Sequence, residues 1–351
     1  MMYMKALWWK FLGVAILIYV VIAGLAWPLK PGIVDVKSSD AIAGKSVEMQ
    51  VEGYNTNFDQ ANTRAWLELD DVGYLTAKEV SPIDYNHVKL IFDLPNAFPQ
   101  GDKIRKLDLV LHSAEDGESI LPSALFVNTE NAQIGDEGWE LQTLEGITAK
   151  PGVQFPYRPI LNETVRNTFF HIPLWFSMFI MLMISLYYSV RYLLKNDMQF
   201  DIRATAIVNV AILFGILGII TGSIWARFTW GTFWTTDVKL NMSTIAMLIY
   251  MASIILRSSI QDVDRRAKLS AAYNIFAFVA LIPLVFVIPR LTDSLHPGNG
   301  GNPALGGEDM ENTLRMVFYP AIIGFTLLGL WLATLLIRYE TIKDKWLSRK
   351  I

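Results

Sequence analysis

Six stretches of mostly apolar residues constrain this chain more than anything else in it. They run from about Ala6 to Trp27, Phe169 to Leu194, Ala204 to Trp225, Leu240 to Leu256, Leu269 to Pro289 and Met316 to Ile337. A helix needs roughly 20 apolar residues to cross a hydrocarbon core about 30 Å thick, and only Leu240–Leu256 is short of that. Apolar residues fill 52% of the 351 positions, too many for an ordinary soluble protein. The pattern predicts a polytopic, all-α membrane protein with six transmembrane helices. The first stretch is long for the core of a signal peptide, and no A-x-A-like site precedes Pro28-Leu-Lys-Pro31. It is expected to remain as an uncleaved span (residues 1–28), with Lys10 snorkelling toward the interface.

Residues 29–150 have a different character. Short runs alternate apolar and polar residues, as in Ser46–Glu52, Arg64–Leu69, His87–Phe92 and Lys106–His112. Turn-rich segments such as Pro95-Asn-Ala-Phe-Pro-Gln-Gly101 separate them. Period-two runs with this punctuation predict an inserted all-β domain, a small antiparallel sandwich. The opening segments Pro31-Gly-Ile-Val-Asp-Val, Gly44-Lys-Ser-Val-Glu-Met and Gly53-Tyr-Asn resemble the start of an immunoglobulin-like domain of the TIG type. Residues 151–168 read as a connector, and residues 169–351 as a five-helix membrane domain.

Charge and composition exclude whole classes of chemistry. The net charge is −3, and there is no basic stripe, so a nucleic-acid partner is not expected. There is no cysteine, which rules out disulfides, thiol nucleophiles and thiolate metal ligation by this chain. Basic residues also set the expected orientation. The segments on one side carry Lys5, Lys10, Arg191, Lys195, Arg203, Arg257, Arg265, Arg266, Lys268, Arg338, Lys343, Lys345, Arg349 and Lys350. The short loops on the other side carry only Arg227, Lys239, Arg290 and Arg315. The positive-inside rule therefore puts both termini in the cytoplasm, with the β-domain and the loops 225–241 and 290–315 facing outward.

The outward loop 225–237 is unusual. It holds Trp225, Phe228, Trp230, Phe233 and Trp234, and it ends on Asp237. Interfacial belts place aromatics singly or in pairs, whereas a dense cluster forms an apolar platform for a large planar ligand. Four histidines exist, and His87 and His112 belong to strand runs with structural or solvated roles. His171 opens the second span and His296 lies in the next outward loop, so both flank the platform. Two imidazoles and apolar planes are what a haem requires of a protein. Arg227, Lys239 and Arg290 are cations near enough in sequence to serve its propionates, without a choice among them.

These residues also resemble a known family. Trp230-Gly-Thr-Phe-Trp-Thr-Thr-Asp237 is similar to the WGxxWxWD signature of haem-handling membrane proteins. Trp230, Gly231, Trp234 and Asp237 match, Thr236 replaces the last tryptophan, and Phe233 falls at a variable position. His171-Ile-Pro with the following Trp and Ser-Met, Thr221-Gly-Ser-x-Trp225 and Ser294-Leu-His296 are similar to the CcmC branch of cytochrome c biogenesis. The resemblance spans all six helices but not the β-domain. It implies that His171 and His296 ligate haem b axially while the tryptophan loop holds the porphyrin. It further implies transient haem, presented at the periplasmic face of the inner membrane to the haem chaperone CcmE. CcmA, CcmB and the small CcmD are the implied membrane partners, and energy input falls to them because this chain carries no ATP motif.

A cytochrome c synthetase of the same superfamily is the main rival, and such enzymes carry histidines within their spans. Here no histidine lies deep in an apolar stretch, so a haem-transfer protein is expected rather than an enzyme with catalytic chemistry of its own. An ion-coupled transporter would be marked by intramembrane charges, and these spans offer chiefly Asn209 and Asn274.

Overall fold

In the computed structural model, residues 7–58, 62–69, 72–140, 152–159, 161–296 and 310–347 are described. The chain divides into two units, Pro28–Asn162 and Met1–Trp27 together with Glu163–Ile351. Parts of two expected segments, 141–150 of the β-domain and 297–309 of the last outward loop, lie outside the described residues.

The alternation read in the β region becomes burial. In β3 (Ser46–Tyr54) Val47, Met49 and Val51 are buried while the residues between them are exposed. The other strands are β1 (Gly32–Lys37), β2 (Asp40–Ile42), β4 (Arg64–Leu69), β5 (Gly73–Thr76) and β6 (Glu79–Pro82). They continue as β7 (His87–Asp93), β8 (Ala97–Phe98), β9 (Ile104–Ser113), β10 (Gly117–Asn128) and β11 (Gln133–Ile134). One sheet has the order β1-β3-β7-β6, a second β2-β10-β9-β4-β5, and β11 pairs with β8. Both large sheets feed one core: Met49, Leu90 and Phe92 come from the first, and Leu67, Leu109 and Leu125 from the second. The unit is thus a two-sheet β-sandwich.

Two details depart from the sequence reading. Pairing is not wholly antiparallel, because β10–β2 and β11–β8 run parallel. The expected connector is partly tied in. Leu29 bridges to Phe155, and Tyr157 stacks on Tyr54 with centroids 5.2 Å apart. A single bridge and a single ring pair leave no periodic trace, so a pattern search misses them. In β10 the register with β9 shifts between Leu121 and Leu125, where Pro122 has no N–H to give the ladder.

Among the described residues the second unit has six helices long and apolar enough to cross a membrane. They are α1 (Trp8–Ala26), α2 (His171–Lys195), α3 (Met198–Trp230), α4 (Val238–Ser258), α5 (Val263–Ile282) and α6 (Asn312–Leu347). A 3₁₀ turn, Asn162–Phe169, leads into α2. The α2–α3 turn is compact because Asn196 adopts the left-handed conformation and the Asp197 side chain caps α3 through Gln199 N. Met181, Phe214, Met247 and Tyr250 fill the centre of the bundle. Beyond Ile282 the backbone widens into a π turn at Pro283–Val287 and tightens to a 3₁₀ turn at Ile288–Arg290, a local distortion often found beside functional sites.

Candidate functional site

The tryptophan segment is not one loop. Trp225, Ala226, Arg227, Phe228 and Thr229 are all compatible with a helix, so α3 continues through Trp230. Gly231 then stops it with φ 75°, a left-handed cap that glycine adopts without a Cβ clash. Asp237 starts α4 by accepting hydrogen bonds from the amides of Lys239 and Leu240. The loop expected over 225–241 therefore narrows to 231–237.

Helix ends bring the two expected histidines to one end of the bundle. His171 is the first residue of α2, and His296 follows the distorted end of α5. Both line the same cavity of about 370 Å³, a size within the usual range for small-molecule sites. Its walls are apolar and aromatic, with Trp175, Phe179, Trp234 and Phe286 among them. Lys239 contributes a cation to the same lining.

Each imidazole is held by its Nδ1. His171 Nδ1 lies 3.0 Å from the Gly218 carbonyl and 3.2 Å from Thr221 Oγ1. Because a carbonyl can only accept, Nδ1 carries the proton and Nε2 keeps its lone pair. This close fit requires glycine at two places on α3. A Cβ on Gly222 would come within 2.6 Å of His171 Cε1, and one on Gly218 within 2.8 Å of Trp175.

His296 Nδ1 lies 3.0 Å from Asp237 Oδ1, and the other carboxylate oxygen accepts from Leu295 N at 2.7 Å. One aspartate thus caps α4 and fastens the histidine segment. Trp230 meets the His296 ring edge-on at 4.9 Å, and Trp225 is tilted toward it at 5.8 Å. Burial pushes the His296 pKa below its ordinary 6.5, and the Asp237 carboxylate only partly offsets this, so the ring is neutral at neutral pH. Burial would raise the Asp237 pKa. The Ser294 hydroxyl and the Leu295 and Lys239 amides, joined by the charge of His296 once that ring is protonated in acid, outweigh it and hold the carboxyl below its usual range. A neutral imidazole with Nδ1–H fixed by a carbonyl or carboxylate is the form that ligates a metal through Nε2, and such outer partners raise ligand basicity.

The other expected site residues divide into two groups. Trp234 and Lys239 line the cavity. Trp225, Trp230 and Asp237 act on it through His296 rather than by facing it. Phe233 is outside the lining and takes the Arg227 guanidinium over its ring at 6.0 Å. Arg227 also donates to the Gly231 carbonyl. Arg290 is outside the lining too, though close enough to Lys239 for their charges to repel. Thr236 turns outward, its carbonyl accepting from Asn241 Nδ2 at 3.2 Å. The sequence reading quoted Trp175 and Gly222 only as parts of motifs, without a place in the site, and did not pick out Gly218, Phe179 or Phe286. The Gly218-x-x-x-Gly222 spacing, which lets elements approach closely on one helix face, was the available signal.

Six membrane-length helices among the described residues make this a multi-pass membrane protein, with an apolar, two-histidine cavity at one end as its candidate site. Residues 156–350, more than half the chain, match the CcmC family, described as heme exporter protein C, and the chain belongs to that family. The match covers α2–α6 and leaves α1 and the strands outside, so it is narrower than the six-helix resemblance drawn from the motifs. Heme exporter protein C of Bradyrhizobium diazoefficiens is 28% identical over 189 residues, covering 52% of this chain and 69% of that protein. The Paracoccus denitrificans protein of the same name is 28% identical over 180 residues, 51% of this chain and 73% of its own length. That of Escherichia coli K12 is 25% identical over 138 residues, 39% and 54% respectively.

Proposed function

We propose that this chain binds haem b between His171 and His296 and delivers it for cytochrome c maturation. The observation that carries this reading is the pair of Nδ1-anchored imidazoles on one apolar cavity. Such a site leaves two Nε2 lone pairs for iron and aromatic walls for a porphyrin. The printed names of the relatives, heme exporter protein C, support haem as the cargo. Trp234 serves as the wall of the site, Trp225 and Trp230 buttress His296, and Lys239 is the favoured propionate contact because it alone of the three expected cations lines the cavity. Arg227 and Arg290 are assigned to the rim.

Two neutral nitrogens hold oxidised haem firmly, and exchange of one of them for a ligand from the acceptor releases it. His296 is the exchanging side in this scheme, since it sits on a short segment secured by Asp237, whereas His171 is built into α2. The acceptor is the periplasmic chaperone CcmE, and CcmA, CcmB and CcmD are the membrane partners. The site faces the periplasm across the inner membrane, with both termini cytoplasmic, a reading supported by the basic residues at the opposite helix ends. We read the β-sandwich as immunoglobulin-like on the basis of its strand order, in which β1-β3-β7-β6 faces a sheet containing β10-β9-β4. An experimental structure with a different strand connectivity would remove that basis.

The function is tested by incubating the haem-loaded protein with the chaperone and measuring haem transferred. His171→Ala, His296→Ala and Trp234→Ala are each expected to lower the transferred haem severalfold. Undiminished transfer by either histidine variant contradicts the proposal.

A further inference from the structure

A second cavity, of about 550 Å³, opens at the end of the bundle opposite the histidines. Its character is different. Arg266, Ser270 and Asn274 follow one another at four-residue spacing on α5, so they share one face of that helix. Asp201, Thr205 and Asn209 repeat the spacing on α3, and all six residues line the cavity. Two polar stripes in membrane-length helices are costly unless their groups are satisfied.

Several have no partner among the described residues. Asn274 is only 5% exposed and gives both amide protons away, to Ser185 Oγ and Ser189 Oγ at 2.8 Å each. Its Oδ1 has no partner, and neither do Ser270 Oγ and Arg266 Nε. The α5 stripe therefore ends in a buried acceptor, carries a hydroxyl in the middle and begins with a guanidinium donor. Over eight residues these groups span roughly 12 Å along the helix.

The charges are also unequal. Arg257 holds Asp201 through two bonds of 2.9 and 2.6 Å, which neutralises both. Lys343 approaches Glu340 only to 3.9 Å. Among the described residues Arg266 remains as the uncompensated cation of the lining, so the cavity favours an anionic ligand. Such a ligand must also bring a hydrogen-bond donor to reach Asn274 Oδ1.

We propose that this cavity binds a hydroxyl-bearing phosphodiester or phosphomonoester of the glycerol phosphate type, with the phosphate on Arg266 and Lys343 and a hydroxyl donating to Asn274. The two sources of that chemistry are the headgroup of an anionic glycerophospholipid and a soluble glycerol phosphate. The site shares no lining residue with the histidine cavity, so it stands or falls apart from the haem proposal.

The test uses delipidated full-length protein in detergent, titrated with phosphatidylglycerol, phosphatidylcholine and glycerol 3-phosphate and followed by native mass spectrometry. Phosphatidylglycerol or glycerol 3-phosphate is expected to bind at least about tenfold more tightly than phosphatidylcholine, whose headgroup has no donor. Competition by glycerol 3-phosphate assigns the soluble source, and failure to compete assigns the lipid. Arg266→Gln and Ser270→Ala lie nearer the rim than Asn274→Leu and keep the test readable if the last fails to fold. Arg266→Gln and Ser270→Ala are each expected to weaken binding severalfold while the thermal unfolding midpoint holds. Equal binding of all three probes, or wild-type affinity in Arg266→Gln, overturns the proposal and leaves the cavity to water.

Discussion

In the proposed function His296 and Asp237 form the smallest unit, joined by a bond of 3.0 Å from Nδ1 to Oδ1. Burial keeps the folded-state pKa of His296 below 6.5, so its neutral, ligating form is fully present above that value and is lost as pH falls through the lowered one. Asp237, held below the usual carboxylate range, stays charged across the same window. Haem retention is therefore expected to be flat from pH 8 to 6.5 and to drop only below it, as followed by the absorption of bound haem during acid titration. A loss that sets in above pH 6.5 contradicts a neutral, buried His296. Asp237→Asn keeps an oxygen to cap α4 but removes the charge that makes the imidazole basic. It is expected to weaken haem binding about 10–100-fold, read by competition with a haem-binding apoprotein, with helical content by circular dichroism unchanged. That His171 and His296 share one cavity could be expected from the sequence, because so few histidines exist and these two lie outside the strands. The Asp237–His296 bond could not, since 59 residues separate its partners and no local pattern encodes it.

Among the elements, the helices were the most legible, because an apolar run of membrane length leaves the backbone few alternatives. Their ends were less so. Aromatic and small residues carry α3 to Trp230, and only Gly231 stops it; a reading by hydropathy ends the helix at the first tryptophan instead. The consequence reaches the candidate site, since a helical Trp225 and Trp230 present two rings to His296. The strands were legible from alternation, but the parallel β10–β2 pairing was not, because period two marks faces and says nothing of partners. Helix orientation is open to direct measurement in a chain without cysteine. Thr232→Cys, in the α3–α4 loop, is expected to react with an impermeant maleimide from outside spheroplasts, and Gln261→Cys, in the α4–α5 turn, only after permeabilisation. The reverse pattern contradicts a periplasmic site.

At the scale of the whole molecule, the helical unit has two ends with opposed chemistries. One is apolar, with two fixed imidazoles; the other is polar, with an excess guanidinium. The family match covers this unit from α2 onward, and the sandwich lies almost wholly outside it, so the haem chemistry is assigned to the helices. The central claim is that both histidines ligate one iron. The most direct test is the absorption spectrum of the full-length protein purified with its haem, beside the His171→Ala/His296→Ala double variant. The wild type is predicted to show a low-spin, bis-histidine spectrum, and the double variant to lose both that signature and most of its haem. An unchanged low-spin spectrum in the double variant would contradict the account.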